Sequence, residues 1–269
     1  MPSYVITGAN RGIGYAFLKN ISSSPNNTVI GIVRNVAETE AKIASWKTPN
    51  IHLVEGDLHS YESLKKAAEV TSAITSGSLD YLIANAGLIP KWSFYDPFSM
   101  LGQDPERLTQ ELNELFTTNV IGQIHLINVF MPLILKGTVK KVITISSGMG
   151  DADVAAKYNL YENGPYSISK VAVNMAIAKF HAEYEKDGVL FLAICPGPVD
   201  TGLYDENTEE DNKKQLVRDM KFLAYAPGNK GHLTPEEAVK DVLKVAENAS
   251  LANGDGGAFL SHFGNKQWL

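Results

Sequence analysis

The run Ser3-Tyr-Val-Ile-Thr7 ends on Gly8, and the glycine-rich stretch Gly8-Ala-Asn-Arg-Gly-Ile-Gly14 leads into a helical pattern from about Ile13 to Ile21. A strand that turns through glycines straight into a helix is followed most simply by a second strand parallel to the first. The sequence repeats that unit. Thr28–Val33, Ile51–Val54 and Leu79–Ala84 read as strands. The helices between them run from about Val36 to Trp46 and from a Ser60 cap to about Ile74. The pattern predicts a parallel sheet with helices on both faces.

The alternation continues. Residues 88–105 read as irregular, and a long helix follows from about Glu106 to Leu135, kinked or ended by Pro132. Val139–Ile145 is a fifth strand, Ser146–Asn163 a loop, and a helix opening at Pro165 runs to about Lys186. Gly188–Ile194 is a sixth strand. Thr234 caps a further helix with Pro235 at its first position, and Gly257–Ser261 is a seventh strand. No linker interrupts the order, so residues 1–269 read as a single domain. Residues 202–231 are the most polar section and read as a lid that contains a short mobile helix.

Composition narrows the classes of partner. The chain is 44% hydrophobic and 20% charged, as in an ordinary globular protein. Its net charge of -6, without a lysine- or arginine-rich run, predicts no nucleic-acid or anionic-membrane partner. No signal segment and no apolar run of membrane-spanning length are read. One cysteine, Cys195, cannot form an internal disulfide and fits a reducing compartment, so a cytoplasmic location is expected. Cys195 reads as a buried small side chain, not a nucleophile. The six histidines have no ligand spacing, and no metal site is expected.

A glycine-rich turn between strand and helix is the setting for dinucleotide binding. Gly8 permits the turn, Gly12 lets backbone approach a pyrophosphate, and Gly14 lets the helix pack close to the sheet. The helix N-terminus attracts phosphate. An acid at the end of the second strand would select a free ribose hydroxyl, but Arg34 stands there. Arg11 and Arg34 are two of the chain's four arginines, and both suit a 2'-phosphate, which favours NADP(H) over NAD(H). Asp57, after the third strand, reads either as an acceptor for an adenine amino group or as a turn residue. The small residues of Asn85-Ala-Gly87 let backbone lie against a cofactor.

Tyr166 and Lys170 lie four residues apart, on one face of a helix start. The helix terminus and the ammonium are expected to lower the phenol pKa to about 7, a shift worth roughly 4 kcal/mol. Tyr15/Lys19 and Tyr61/Lys65 share the spacing. Only Tyr166 falls at the carboxyl edge of the sheet, where open α/β folds bind ligands. Ser146-Ser147 ends the fifth strand at that edge, and a hydroxyl there can hold a carbonyl oxygen.

In order, Thr7-Gly8-x-x-x-Gly12-x-Gly14, Asn85-Ala-Gly87, Asn119, Ser147, Tyr166-x-x-x-Lys170 and Pro196-Gly197 resemble the single-domain branch of the short-chain dehydrogenase/reductase family. The resemblance runs from the first strand to about Thr201. It implies a Rossmann-type, doubly wound parallel seven-stranded sheet and carbonyl reductase-like chemistry with NADP(H), on a small-molecule ketone or aldehyde or the corresponding alcohol. By resemblance Tyr166 is the general acid or base, and Lys170 lowers its pKa and binds the nicotinamide ribose. Ser147 orients the carbonyl, and Asn119 holds a water of the proton relay. Thr201 contacts the carboxamide, and Asn10, Ile13, Leu58, Ala86, Pro196, Gly197 and Val199 complete the cofactor site. A homodimer or homotetramer through the long helices is also implied.

Two stretches depart from the family pattern. Ser147 and Tyr166 are far apart in sequence, so residues 148–164 are expected to enlarge one wall of the pocket, with Tyr158 and Tyr161 either lining it or on the surface. The ending Gly256–Gly264 is unusual, and Trp268-Leu269 packs either in a subunit interface or on its own core. The competing function is a cofactor-binding regulator without turnover. A dehydratase or epimerase is disfavoured by the short chain and the glycine spacing.

Overall fold

The computed structural model describes residues 1–229 and 231–269; of the expected lid, Lys230 lies outside the described residues. The strands are β1 (Ser3–Thr7), β2 (Thr28–Val33), β3 (Ile51–Glu55), β4 (Tyr81–Ala84), β5 (Lys141–Ile145), β6 (Leu190–Cys195) and β7 (Phe259–Ser261). They form one sheet in the order β3-β2-β1-β4-β5-β6-β7, parallel at every pairing. Helices α1 (Gly12–Ser22), α2 (Val36–Ile43) and α3 (Tyr61–Ile74) fill the first crossovers. After them come α4 (Phe98–Leu101), α5 (Pro105–Phe116), α6 (Gly122–Ile134), α7 (Ala152–Lys157), α8 (Gly164–Tyr184), α9 (Glu209–Tyr225) and α10 (Pro235–Asn248).

Apolar residues on opposite sides of each strand feed two cores. In β6, Phe191 and Ala193 meet Leu64 of α3, Leu126 and Phe130 of α6 and Ile177 of α8. Leu190, Leu192 and Ile194 meet Phe17 of α1 and Val239 and Val242 of α10. Burial on both faces is why these strands read as continuous apolar runs.

Four expectations need correcting. The long helix is interrupted at a π-helical segment, Thr117–Ile121, which contains Asn119. Pro132 sits inside α6, which runs two residues past it. A π segment admits an extra residue per turn and turns side chains to new directions, often at functional sites. The Ser146–Asn163 loop contains α7, capped by the Asp151 carboxylate on the Asp153 and Val154 N–H groups. The short helix of the polar section is 17 residues long, because Thr208 and Asp211 form a capping box and Lys214 pairs with Asp96 at 2.8 Å. Finally, Pro105–Ile134 is by length and composition apolar enough to cross a membrane, contrary to expectation. Its apolar side chains Leu126, Ile127, Phe130 and Ile134 are used in the core.

Candidate active site

The strand order reverses between β1 and β4, which opens a crevice at the carboxyl ends of the strands. The glycine turn stands there. Gly8 and Gly12 hold φ of +69° and +55°, the left-handed region that suits glycine. A Cβ on Gly14 would lie 2.1 Å from the Gly8 carbonyl oxygen, so α1 approaches the turn as only glycine allows. The Thr7 hydroxyl accepts from the Asn85 and Ala86 N–H groups at 3.1 and 3.0 Å, and Asn85 Nδ2 donates to the Thr7 carbonyl at 2.9 Å. These bonds fix the ends of β1 and β4 together.

The residues fit a dinucleotide. The N-cap residue of α1, Arg11, makes no side-chain cap bond among the described residues, so the first N–H groups of the helix are left for an anion. A Cβ on Gly12 would meet Thr201 at 3.4 Å, which sets Thr201 across the same groove. Arg11 and Arg34 are both exposed, at the turn and at the end of β2. Asn10 and Ile13 are half-buried in the turn. The Asp57 carboxylate accepts from the His59 N–H at 3.0 Å, which is the bond of a turn residue, and Leu58 packs on the core.

Tyr166 lies in the first turn of α8 and is buried. Burial raises its pKa above the usual 10, and the neighbouring Ser147 hydroxyl acts in the opposite direction. The expected lowering towards 7 is therefore not met by the protein's own groups; desolvation wins. Lys170 Nζ lies 5.5 Å from the Tyr166 ring centre and donates to the Ile145 carbonyl at 2.9 Å. Burial pushes its pKa from 10.5 to about 8.

The two serines diverge. Ser146 is buried and its hydroxyl donates to Asn174 Oδ1 at 2.6 Å, away from Tyr166. Ser147 Oγ accepts from the Met149 N–H at 3.2 Å and stands beside the phenol. Asn119 is buried; its Oδ1 accepts from the Leu88 N–H at 2.7 Å, and its Nδ2 donates to the Leu88 carbonyl at 2.9 Å and to Ser169 Oγ at 3.0 Å. Its side chain thus joins the end of β4 to α8. Gln123, one turn on, donates to the Ala86 carbonyl. Cys195 is buried, its thiol pKa is raised by that burial, and its sulfur accepts from the Gly148 N–H at 3.1 Å. Tyr15 hydrogen-bonds the Lys42 carbonyl and Tyr61 stacks edge-on with His125, both away from this site.

A cavity of about 240 Å³ joins these parts. Ile13, Asn85, Gly87, Pro196, Val199 and Thr201 lie on its wall with Ser147, Tyr166 and Lys170. The remainder is mostly apolar and aromatic, and includes Leu88, Phe94, Leu203, Phe222 and Tyr225. Tyr158 and Tyr161 are not part of the lining; Tyr158 packs edge-on against Tyr225, and Tyr161 is half exposed under Lys221. Residues 148–164 reach the cavity through Met149, Val154, Leu160 and Asn163.

Trp268, Asn163 and Arg218 also line the cavity, and nothing in the sequence places them on this wall. Trp268 is buried, stacks on Phe259 at 4.3 Å, and donates from Nε1 to Asp151 at 2.8 Å. It presses on Gly148, where a Cβ would lie 2.5 Å from its own. The tail therefore packs on the chain's own fold, beside Ser147. Trp268→Ala should cost about 3–5 kcal/mol in urea unfolding; a cost under about 1 kcal/mol would mean that the tail is not part of the wall. Asn163, at φ +57° and buried, has an Oδ1 without a partner among the described residues. Arg218, on α9, is also buried. Among the described residues, no group of three His, Cys, Asp or Glu side chains is placed to hold a metal ion.

A parallel sheet in this order, with a glycine turn at its switch point and a tyrosine and lysine in the adjoining cavity, defines a nucleotide-dependent oxidoreductase fold. Residues 3–212 match the family model for short chain dehydrogenase, and the chain belongs to that family. It is 50% identical to the short chain dehydrogenase virK of Hypocrea virens and 44% identical to the short-chain dehydrogenase/reductase iacC of Pestalotiopsis fici, covering 100% of both chains in each case. Among solved structures, the NADPH-bound carbonyl reductase from chicken fatty liver is 26% identical, with a TM-score of 0.77 over 98% of each chain.

Proposed function

We propose that this oxidoreductase is an NADP(H)-dependent carbonyl reductase, with Tyr166 as its proton donor. The observation that carries the reading is that Ser147, Tyr166 and Lys170 share one cavity with Asn85, Gly87 and Thr201 from the groove of the glycine turn. Gly8, Asn10, Gly12, Ile13 and Gly14 would hold the pyrophosphate, Arg11 and Arg34 the 2'-phosphate, and Asn85–Gly87, Lys170, Pro196, Gly197, Val199 and Thr201 the nicotinamide end. Bound there, NADPH supplies a hydride to the substrate carbonyl carbon.

The chain's own groups do the rest. Ser147 donates a hydrogen bond that fixes the carbonyl oxygen beside the phenol. Tyr166 gives its proton to that oxygen as charge develops there. Burial favours the phenol's neutral form, which suits a donor. Lys170 carries the nearest buried positive charge and favours the tyrosinate left after transfer. Asn119 acts by positioning Leu88 and α8. The apolar wall excludes water. Alcohol oxidation reverses these roles.

The described residues of the 202–231 section act as a substrate lid, with α9 tied to the segment before the Tyr166 helix by Lys221–Glu162 at 2.5 Å. Ile168, Val171 and Met175 lie exposed on α8, and Phe116 and Ile121 lie exposed at the π segment, which supports a homodimer through these helices. The single buried cysteine supports a cytoplasmic location.

Arg34→Asp tests the cofactor assignment. Replacing a phosphate-binding cation by a carboxylate should weaken NADPH by about 100-fold or more and leave NADH within about threefold, measured by cofactor fluorescence titration. Equal losses for the two cofactors would mean that Arg34 does not read the phosphate.

A further inference from the structure

The cavity contains a cation that the proposed chemistry does not use. Arg218 rises from α9 and is only 4% exposed. Its guanidinium carbon lies 5.0 Å from the Phe94 ring centre, 5.2 Å from Tyr95, 5.4 Å from Phe222 and 5.5 Å from Tyr204. Its single acid contact is with the adjacent Asp219, from Nη2 at 3.5 Å, and Nε has no partner among the described residues.

Arginine stays charged at any pH a protein meets. Aromatic faces stabilise such a cation by about 2 kcal/mol when it is desolvated. They do not satisfy the in-plane donors: Nε has no partner among the described residues and Nη2 has only the long contact with Asp219, and a buried cation with an unfilled donor is costly unless an anion arrives. The guanidinium edge matches a carboxylate in two parallel hydrogen bonds. Phe94, Tyr204 and Phe222 line the same cavity as Tyr166, and so does Arg218. The cavity therefore offers an apolar body, a carbonyl site and, besides Lys170, a guanidinium whose one acid contact among the described residues is the 3.5 Å bond to the partly exposed Asp219.

We propose that Arg218 anchors a carboxylate of the substrate, so that this chain acts on hydrophobic or aromatic oxo acids. The carbonyl faces Tyr166 while the carboxylate pairs with the caged guanidinium. The inference rests on the reductase reading for the carbonyl half only; the anion site stands on Arg218 and its cage. Because α9 carries Arg218, carboxylate binding also holds the lid helix over the cavity.

Two measurements test it on the NADPH-loaded protein. Calorimetry with 4-phenylbutanoate and 4-phenylbutanamide, which have no reducible ketone, reads the anion site without turnover. The acid should bind about 10- to 100-fold more tightly than the amide, the range for a hydrogen-bonded charge pair. Arg218→Met should abolish that difference and leave amide binding unchanged, while Arg218→Lys keeps part of it. NADPH oxidation with 4-oxo-4-phenylbutanoate and its methyl ester should show the same preference in kcat/KM. Three results would overturn the assignment: equal binding of acid and amide by the unaltered protein, an acid preference that survives Arg218→Met, or a parallel loss of acid and amide binding, which marks a purely structural arginine. An acid preference in calorimetry, with no oxidation of NADPH by any ketone, retains the anion site and removes the reductase reading.

Discussion

Tyr166→Phe should lower NADPH-dependent carbonyl reduction by at least about 100- to 10,000-fold while cofactor affinity stays within about twofold. The substitution removes one oxygen atom and keeps the ring, so the buried contacts of the first turn of α8 survive. The glycine turn, Arg11 and Arg34 are untouched, which is why binding and turnover should separate. Ser147 and Lys170 can still place a carbonyl, but no proton donor faces it. Steady-state rates at 340 nm and a cofactor fluorescence titration check the two halves. Activity within tenfold of the unaltered protein would remove Tyr166 from the proton transfer.

Lys170→Met should act in opposite directions on activity and stability. Loss of the cation should cut turnover by about 100-fold or more, since the tyrosinate loses its partner. The folded protein without cofactor should become more stable at pH 7. Burial lowers the Lys170 pKa from 10.5 to about 8. Below pH 8 the chain therefore pays to keep a buried ammonium, at a cost on the order of 3 kcal/mol. The Ile145 carbonyl loses its donor in the variant, which offsets about 1–2 kcal/mol. The net gain should raise Tm by about 2–6 °C at pH 7. The native ammonium deprotonates as pH rises from 8 towards 10.5, so the unaltered protein regains stability there and the gain should shrink by pH 9.5. A variant that is less stable at pH 7, or whose advantage grows with pH, would mean that Lys170 is not buried as a strained cation.

The regular parts of this architecture were legible because backbone geometry leaves marks in composition. The glycines at positions 8, 12 and 14 are required by φ and by a 2.1 Å approach, and no other residue serves there. Strands buried on both faces show as apolar runs, and Ser60 and Thr234 announce their helices as caps. What sequence periodicity hides is interruption and return. The π segment at Thr117–Ile121 leaves the helical pattern intact while shifting its phase, whereas Pro132, the residue whose chemistry marks a break, sits inside α6. The cavity wall is built by long-range returns. Trp268 reaches Gly148 and Asp151 from the far end of the chain, and Arg218 reaches Phe94 from α9. Neither has a spacing that announces it, although the scarcity of arginine could have singled out Arg218. The tyrosine pKa failed for another reason: the sequence shows which charges are near in the chain, not how much water is lost around them.

Hydride transfer itself is tested most directly by following the isotope. NADPH carrying deuterium at both hydrogen positions of nicotinamide C4 is incubated with the unaltered protein and a panel of aromatic ketones and oxo acids, and the alcohols are analysed by mass spectrometry. Carbonyl reduction predicts a carbinol one mass unit heavier, with deuterium on the former carbonyl carbon, and no such product from Tyr166→Phe. Tight NADPH binding with no deuterated alcohol from any member of the panel would contradict a reductase and leave a cofactor-binding protein without turnover.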